Sequence, residues 1–345
     1  MTRSTPSTLS YGEFLKRPLQ DWHLREFNPR LMKGRLIRMS RENYRRSSFL
    51  DDRIERADRF DKHVIFDRTA GAKARSRPKL NFIFHVSFCG STLLSRCLDM
   101  PRQRLVLREP FVLRQIWEVG LLYPQEFDVN RQRKLLKLVL PLLAKPSEPG
   151  ETVCIKPSNL LTDLAEPMLQ TTQGKAICLY VPAESFLLSM ADKQAETIRR
   201  VVEIAAHWSR DLQLPKPATI FQSAALFWYH QIRRMHAAMS RYPQRTASLD
   251  FETFVKAPRR HLRRVCAFFG EDEMAFQLAP LQTNAKAPWK RFTLEDRLAA
   301  QRDSRKTHGA DISAALVWLE KHTGSDLGAS PLGAPLAPLT LSQAN

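Results

Sequence analysis

The sequence predicts an α/β fold whose core is a mostly parallel sheet of about five strands with helices on both faces. Between residues 79 and 270, short apolar runs alternate with helical patterns, as in parallel sheets, where each strand needs a crossover connection. An apolar fraction of 43% in 345 residues is enough for one large α/β domain or two modest ones. The stretch KLNFIFHVSFCGSTLLSRCLD, residues 79–99, has the pattern of a strand, a tight turn and a helix.

Composition divides the chain into three regions. Residues 1–78 are polar and Arg-rich, and we expect a basic, mostly helical extension there. Residues 79–322 carry the alternating pattern and are expected to form the α/β domain. Residues 323–345 are rich in Pro, Ala and Leu and have the low complexity of a disordered tail.

The elements of the α/β domain follow from periodicity, taken in chain order. Strands are expected at residues 81–86, 104–107, 152–155, 176–180 and 246–249. Beyond the helix that begins at Ser91, helical patterns cover residues 111–120, 131–144, 159–169, 185–212, 219–241, 294–302 and 309–322.

The net charge of +19 favours anionic partners: nucleotides, sulfated or phosphorylated substrates, nucleic acid or an acidic membrane surface. The positive residues are spread along the chain. No aromatic-glycine RNA-binding motif, zinc-finger spacing or leucine zipper accompanies them, so no specific nucleic-acid motif is indicated. The sequence does not reveal the oligomeric state.

Several features predict a soluble cytoplasmic protein. The five cysteines show no paired spacing, which favours reduced thiols, and the N-terminus has no apolar core of signal-peptide length. The longest apolar stretch, residues 135–143, is interrupted by Lys137 and Pro141 and is too short to span a bilayer. No histidine pair has metal-ligand spacing with a carboxylate or cysteine, so no metal is expected.

The turn between the first strand and its helix has the pattern of an anion-binding loop, because unpaired N–H groups at a helix start point at whatever lies there. The loop departs from the nucleotide-binding form G-x-x-x-x-G-K-[ST], since Ser91 replaces the lysine. Gly90 would let an anion approach the backbone, so Gly90→Val is expected to fill the anion's space and leave the fold intact. The alternative is a Ser/Thr helix cap without a ligand.

Four segments resemble the sulfotransferase family, enzymes of the P-loop fold that transfer a sulfuryl group from 3′-phosphoadenosine 5′-phosphosulfate (PAPS). SFCGSTLL, at 87–94, is similar to P-[RK]-S-G-T-T-[LW]-[LW], and VCIKPSNLLTDL, at 153–164, to a strand followed by K-[ST]-P-x-[HY]. AICLYVPAESFLLSMAD, at 176–192, is similar to the strand-R-[DN]-P-x-x-x-x-x-S element that binds the 3′-phosphate. TASLDFETFVKAPRRHLRRVCAFFG, at 246–270, resembles V-x-Y-E-D-L…P…L…[IC]…F-L-G.

The resemblance implies a doubly wound P-loop sheet and PAPS as co-substrate without a metal. It also implies a basic segment near the C-terminus that folds over the nucleotide, here around Lys286 and Trp289. The implied donor site consists of Ser87, Phe88, Cys89, Gly90, Ser91, Thr92, Ser189 and Lys286. In it, Cys89 is expected to be a small residue facing the phosphate.

Two departures from the family pattern concern cations. Phe88 stands where the family has Lys or Arg, and Val181 stands where the family has the Arg for the 3′-phosphate. Three outcomes are open: other cations replace them, the donor is a different anionic nucleotide, or the site binds without catalysis. The replacement cations considered are Lys156, Lys193, Arg199 and Lys286.

Two residues at strand ends are the candidate catalytic groups, because these ends border the ligand crevice of open α/β sheets. Glu109 resembles the acceptor-activating Glu of polysaccharide sulfotransferases; alternatively it pairs with Arg108 or caps the helix that follows. Lys156 is expected to stabilise charge on the transferring group. His85, inside the first strand, is expected to be buried and bonded to backbone rather than catalytic.

The predicted function is transfer of a sulfuryl group from PAPS to a hydroxyl or amine acceptor, which the sequence does not identify and which could be anionic. The alternative is a catalytically degenerate nucleotide-binding or scaffold protein on the same fold. A nucleotide-dependent kinase is disfavoured, because Ser91 replaces the lysine and no Mg²⁺-binding Asp follows an obvious strand.

Overall fold

The computed structural model describes most of the chain. The described residues are 8–16, 22–51, 53–54, 62–67, 70–74, 77–282, 293–324 and 332. Lys286, Trp289 and nearly all of the predicted tail lie outside them.

The N-terminal region contains a four-stranded sheet, so the prediction of a mostly helical extension is wrong. Its elements are β1 (Thr8–Ser10), α1 (Tyr11–Lys16), β2 (His23–Asn28), β3 (Lys33–Ile37), α2 (Arg41–Arg46), β4 (Lys62–Ile65) and α3 (Ala70–Lys73), with strand order β1-β4-β3-β2. These strands are too short for periodicity to stand out, and charged residues such as Arg35 interrupt their apolar positions. This sheet packs against the α/β domain through β2.

The main sheet confirms the predicted fold class. Its strands are β5 (Asn81–His85), β6 (Arg104–Arg108), β7 (Thr152–Lys156), β8 (Ala176–Tyr180) and β9 (Thr246–Asp250). All four pairings are parallel, in the order β6-β7-β5-β8-β9. Since β5 is central and the chain winds to both sides of it, the loop after β5 lies at the topological switch point, where α/β sheets bind ligands.

The helices cover this sheet and mostly match the predicted patterns. They are α4 (Ser91–Leu98), α5 (Phe111–Leu122), α6 (Val129–Leu143), α7 (Ala165–Thr171), α8 (Ala183–Ala191), α9 (Ala195–Asp211), α10 (Ile220–Arg241), α11 (Phe251–Lys256), α12 (Pro258–Phe269) and α13 (Leu294–Thr323). Among the described helices, none is long and apolar enough to cross a membrane.

The predicted helices differ from the structure in two places. Residues 185–212 form two helices, α8 and α9, separated by a short turn. Residues 294–302 and 309–322 belong to the single helix α13, because no proline interrupts it and Gly309 is tolerated within it.

Buried ion pairs join the N-terminal region to the main sheet. Arg41 of α2 lies 2.6 Å from Asp99 and 2.7 Å from Glu151, and Arg108 of β6 lies 3.0 Å from the other oxygen of Asp99. Both oxygens of this carboxylate therefore accept from arginines. Within the α/β domain, Arg104 forms a further buried ion pair with Glu271. Part of the chain's positive charge is thus structural rather than available to an anionic partner.

His23 gives a testable pH dependence. It is fully buried in β2, and neither ring nitrogen has a hydrogen-bond partner among the described residues. Burial, and then the charge of Arg25, lowers its pKa to about 3. Between this value and the unfolded pKa near 6.5 the unfolded chain binds more protons, so stability falls as the pH falls through that range.

When the pH falls from 8 to 5, we expect His23→Phe to lose about 2 kcal/mol less unfolding free energy than the wild type loses. Urea unfolding at the two pH values measures this. The exposed His236→Gln is the control and should leave the loss unchanged; an equal pH response of His23→Phe and the wild type would refute the assignment.

Candidate active site

A cavity of about 440 Å³ opens at the carboxyl ends of β5 and β6. The loop after β5, Glu109 after β6, and helices α5, α9 and α13 contribute to its walls. The cavity therefore lies at the switch point of the sheet, where the loop was predicted to bind an anion.

The loop after β5 presents an uncapped helix start to this cavity. Gly90 is the N-cap of α4, with φ +69°, and no side-chain cap hydrogen bond is present, which contradicts the Ser/Thr-cap alternative. The first N–H groups of an α-helix have no intrahelical partner, so those of α4 can bind an anion. The loop residues that line the cavity are Ser87, Phe88, Gly90, Ser91 and Thr92.

Cys89 is the exception among the predicted loop residues. Its side chain is buried and does not line the cavity, and Sγ donates to the carbonyl of Val86 at 3.0 Å. Burial raises the pKa of this thiol to about 12, against the opposing charge of Lys156. The expectation that the Cys89 side chain faces a phosphate is therefore wrong, because the thiol turns toward the sheet.

Gly90 is required by packing as well as by backbone conformation. A Cβ atom at this position would lie 1.9 Å from Cε2 of Phe251. Gly90→Val would displace this buried ring, so the expectation that the variant keeps its fold intact is wrong.

Glu109 and Lys156, the two predicted catalytic residues, form an ion pair. The register of β6 and β7 places Arg108 beside Lys156, and the N–H of Glu109 donates to the Lys156 carbonyl at 2.7 Å. Lys156 Nζ lies 2.5 Å from Glu109 Oε1. The lysine side chain is fully buried, whereas that of Glu109 is 20% exposed and lines the cavity.

Glu109 has neither of the two alternative roles considered from the sequence, which were pairing with Arg108 and capping of α5. Glu109 has φ +53°, a left-handed conformation that costs a non-glycine residue about 1–3 kcal/mol. Arg108 points to Asp99 instead, and no side chain caps α5. The pairing of Glu109 with Arg108 and the capping role are thus both wrong.

His85 is buried and bonded to backbone, as predicted, and it contributes to the cavity wall. Its Nδ1 lies 2.9 Å from the carbonyl of Val86, and its Nε2 lies 3.0 Å from that of Pro157. Burial, with the charge of Lys156, lowers its pKa to about 4, so the ring is neutral at pH 7. A neutral ring donates to only one of these carbonyls.

Four arginines line the cavity, and the sequence interpretation named none of them: Arg53, Arg114, Arg200 and Arg297. Arg297 of α13 donates to the carbonyl of Phe88 at 3.3 Å. Burial lowers the pKa of Arg297, whereas the carboxylates of Glu252 and Asp250 act in the opposite direction. Arg297 therefore brings a cation to the anion-binding loop from a distant part of the chain.

The cation expected from α9 was assigned to the wrong neighbour. The Arg199 side chain is 73% exposed and lies 3.9 Å from Glu203, outside the cavity. Arg200 lines it instead, on the same helical face as Thr197 and Ile204. The apolar stripe of α9 was visible in the sequence and could have distinguished the two arginines.

Ser189, the remaining predicted donor residue within the described ranges, does not line the cavity. Ser189 Oγ donates to the carbonyl of Ser185 within α8, and Val181 is fully buried. Phe88 has a backbone φ of +58°. The centroid of its ring lies 5.5 Å from that of Phe186 and 5.0 Å from Lys193 Nζ. Neither Ser189 nor Lys193 lines the cavity, and Lys286 is outside the described residues.

Comparison with known proteins gives structural similarities alone. No protein-family model and no curated protein matches the chain. A sulfotransferase from Alicyclobacillus acidocaldarius matches with 15% identity and a TM-score of 0.39, over 73% of this chain and 97% of that chain. The sulfotransferase domain from the curacin biosynthetic pathway matches with 17% identity and a TM-score of 0.40, over 74% and 96%.

These matched structures are sulfotransferases. Because the TM-scores and identities are low, we argue the function from the cavity and its side chains.

Proposed function

We propose that the protein transfers a sulfuryl group from PAPS to an acceptor bound in the cavity. One observation carries the proposal: a carboxylate paired with a buried lysine and an uncapped helix start face the same space. The carboxylate–lysine pair can remove a proton and stabilise charge, and the helix start can hold an anion.

The residues around the loop suit the 5′-phosphosulfate of PAPS. The N–H groups of Ser91 and Thr92 and their hydroxyls would bind its oxygens, and Arg297 would supply the positive charge that Phe88 lacks. Val181 is fully buried and brings no cation to the cavity, so the proposal rests on the 5′ side of the donor.

The transfer balances without a metal or an oxidant. Glu109 takes the proton of the acceptor hydroxyl while the acceptor oxygen forms its bond to sulfur. The bond from sulfur to the bridging oxygen breaks, and its electron pair leaves with 3′,5′-bisphosphoadenosine. Protonation of Glu109 removes the partner of Lys156, whose charge then acts on the oxygens that become more negative.

Two measurements test the proposed function. Calorimetric titration compares 3′,5′-bisphosphoadenosine with ATP and Mg²⁺, and an acceptor screen with radiolabelled PAPS measures transfer. We expect binding of the bisphosphate and transfer to at least one acceptor. Preference for ATP and Mg²⁺ would contradict the proposal, and bisphosphate binding without any transfer would favour the binding-protein alternative.

Arg297→Gln tests the donor side separately. We expect it to weaken binding of 3′,5′-bisphosphoadenosine about tenfold, because a charge-assisted bond beside the loop is lost. Calorimetry measures the dissociation constant. The control is Arg302→Gln on the exposed face of the same helix, and equal affinities of the two variants would remove Arg297 from the donor site.

A further inference from the structure

The cavity arginines come from separate parts of the chain. Arg297 of α13 lies at the loop after β5, where it donates to the carbonyl of Phe88. Arg114 of α5 and Arg200 of α9 line the same cavity, and the part that they line is called its second end. Glu109 also lines the cavity and directly precedes Pro110, the N-cap of α5.

The second end combines an apolar wall with two arginines. Phe111, Val201, Ile204 and Phe227 contribute aromatic and aliphatic surface to the cavity. Such a wall favours the apolar body of a ligand over a heavily hydroxylated sugar, because burial of unpaired hydroxyls is unfavourable.

Arg200 is the cation at this end that is available to a ligand. It makes no hydrogen bond or ion pair with any residue that the structure describes, whereas Arg114 is held 2.6 Å from Glu118. Burial lowers the pKa of Arg200 and the charge of Arg114 lowers it further, against the carboxylates of Glu118, Glu196 and Glu109. The guanidinium groups of Arg114 and Arg200 line the same cavity, and an anion between them would relieve their repulsion.

The charges also restrict the acceptor's head group. The nearby carboxylates of Glu118 and Glu196 reduce the positive potential, which favours a single negative charge over a dianion. A protonated amine would be repelled by Arg114 and Arg200, which favours a hydroxyl as the reacting group.

We propose that this end of the cavity binds an apolar hydroxy acid, with its carboxylate at Arg200 and Arg114 and its hydroxyl at Glu109. The identification of this ligand as the acceptor rests on the proposed sulfuryl transfer, whereas the binding site itself does not.

The test uses a ten-carbon ω-hydroxy acid, its methyl ester and the corresponding diol as probes. Calorimetry with the full chain should show that the acid binds about tenfold tighter than the two neutral compounds. Arg200→Gln should abolish this preference, Arg200→Lys should restore most of it, and the exposed neighbour Arg199→Gln should retain it fully. In turnover, Arg200→Gln should raise KM for the acid about tenfold, with a smaller effect on kcat.

The outcomes separate this inference from the proposed function. Arg200-dependent binding of the acid without sulfuryl transfer would support the site and remove the proposed function. Transfer to the diol and the ester as readily as to the acid would support the function and overturn the inference. Absence of binding by all three probes, or a preference for the acid that survives Arg200→Gln, would also overturn it.

Discussion

Glu109→Gln is expected to reduce sulfuryl transfer about a hundred- to ten-thousandfold, the usual contribution of a general base. The amide has the size of the carboxylate but cannot accept the acceptor's proton. Binding of 3′,5′-bisphosphoadenosine should persist, because Glu109 lies after β6 and is not part of the anion-binding loop. Transfer of radiolabelled sulfate and calorimetry measure the two properties on the same preparation.

The control for this substitution is Glu203→Gln, whose side chain is 67% exposed on α9 and does not line the cavity. It should leave both properties unchanged. Transfer by Glu109→Gln at a rate within a few fold of the wild type would exclude Glu109 as the base. Loss of nucleotide binding as well as transfer would instead indicate that the ion pair with Lys156 supports the donor site.

Asp99→Asn is expected to destabilise the fold by about 3–5 kcal/mol. The carboxylate of Asp99 is almost fully buried between Arg41 and Arg108, and an amide leaves Arg108 without a counter-charge and Arg41 with Glu151 alone. Urea unfolding measures the free energy of unfolding.

The matched control is Asp303→Asn, since Asp303 lies 3.3 Å from Lys306 on the exposed face of α13, with its side chain 75% exposed. Such surface pairs contribute little, so the control should shift the free energy of unfolding by less than about 1 kcal/mol. A similarly small shift for Asp99→Asn would show that the buried network does not hold α2 to the sheet.

The sequence predicted the main sheet well because its strands are buried on both faces. Continuous apolar runs such as that of β5 are visible without knowledge of their partners. Each of the five strands was predicted to within one residue at its ends. The N-terminal sheet was missed because four short strands become recognisable only when long-range pairing aligns them.

The sequence identified the site residues at strand ends but not the site residues on helices. Glu109 and Lys156 follow from strand positions, since the carboxyl ends of parallel strands meet at one edge. Arg297 reaches the loop from more than two hundred positions along the chain, and its helix has no apolar stripe that would orient it. Only the packing of α13 against α8 and α10 brings that guanidinium to the cavity.

The positive φ angles of Phe88 and Glu109 have a practical consequence for protein engineering. Glycine would relieve such backbone strain, but at position 109 it would also leave the fully buried Lys156 without its carboxylate partner, which costs more than the strain. A library selected for thermal resistance alone should therefore retain an acidic residue at position 109. Retention of Glu109 in heat-resistant variants would thus not by itself be evidence of a catalytic role, because its ion pair with Lys156 also contributes to stability.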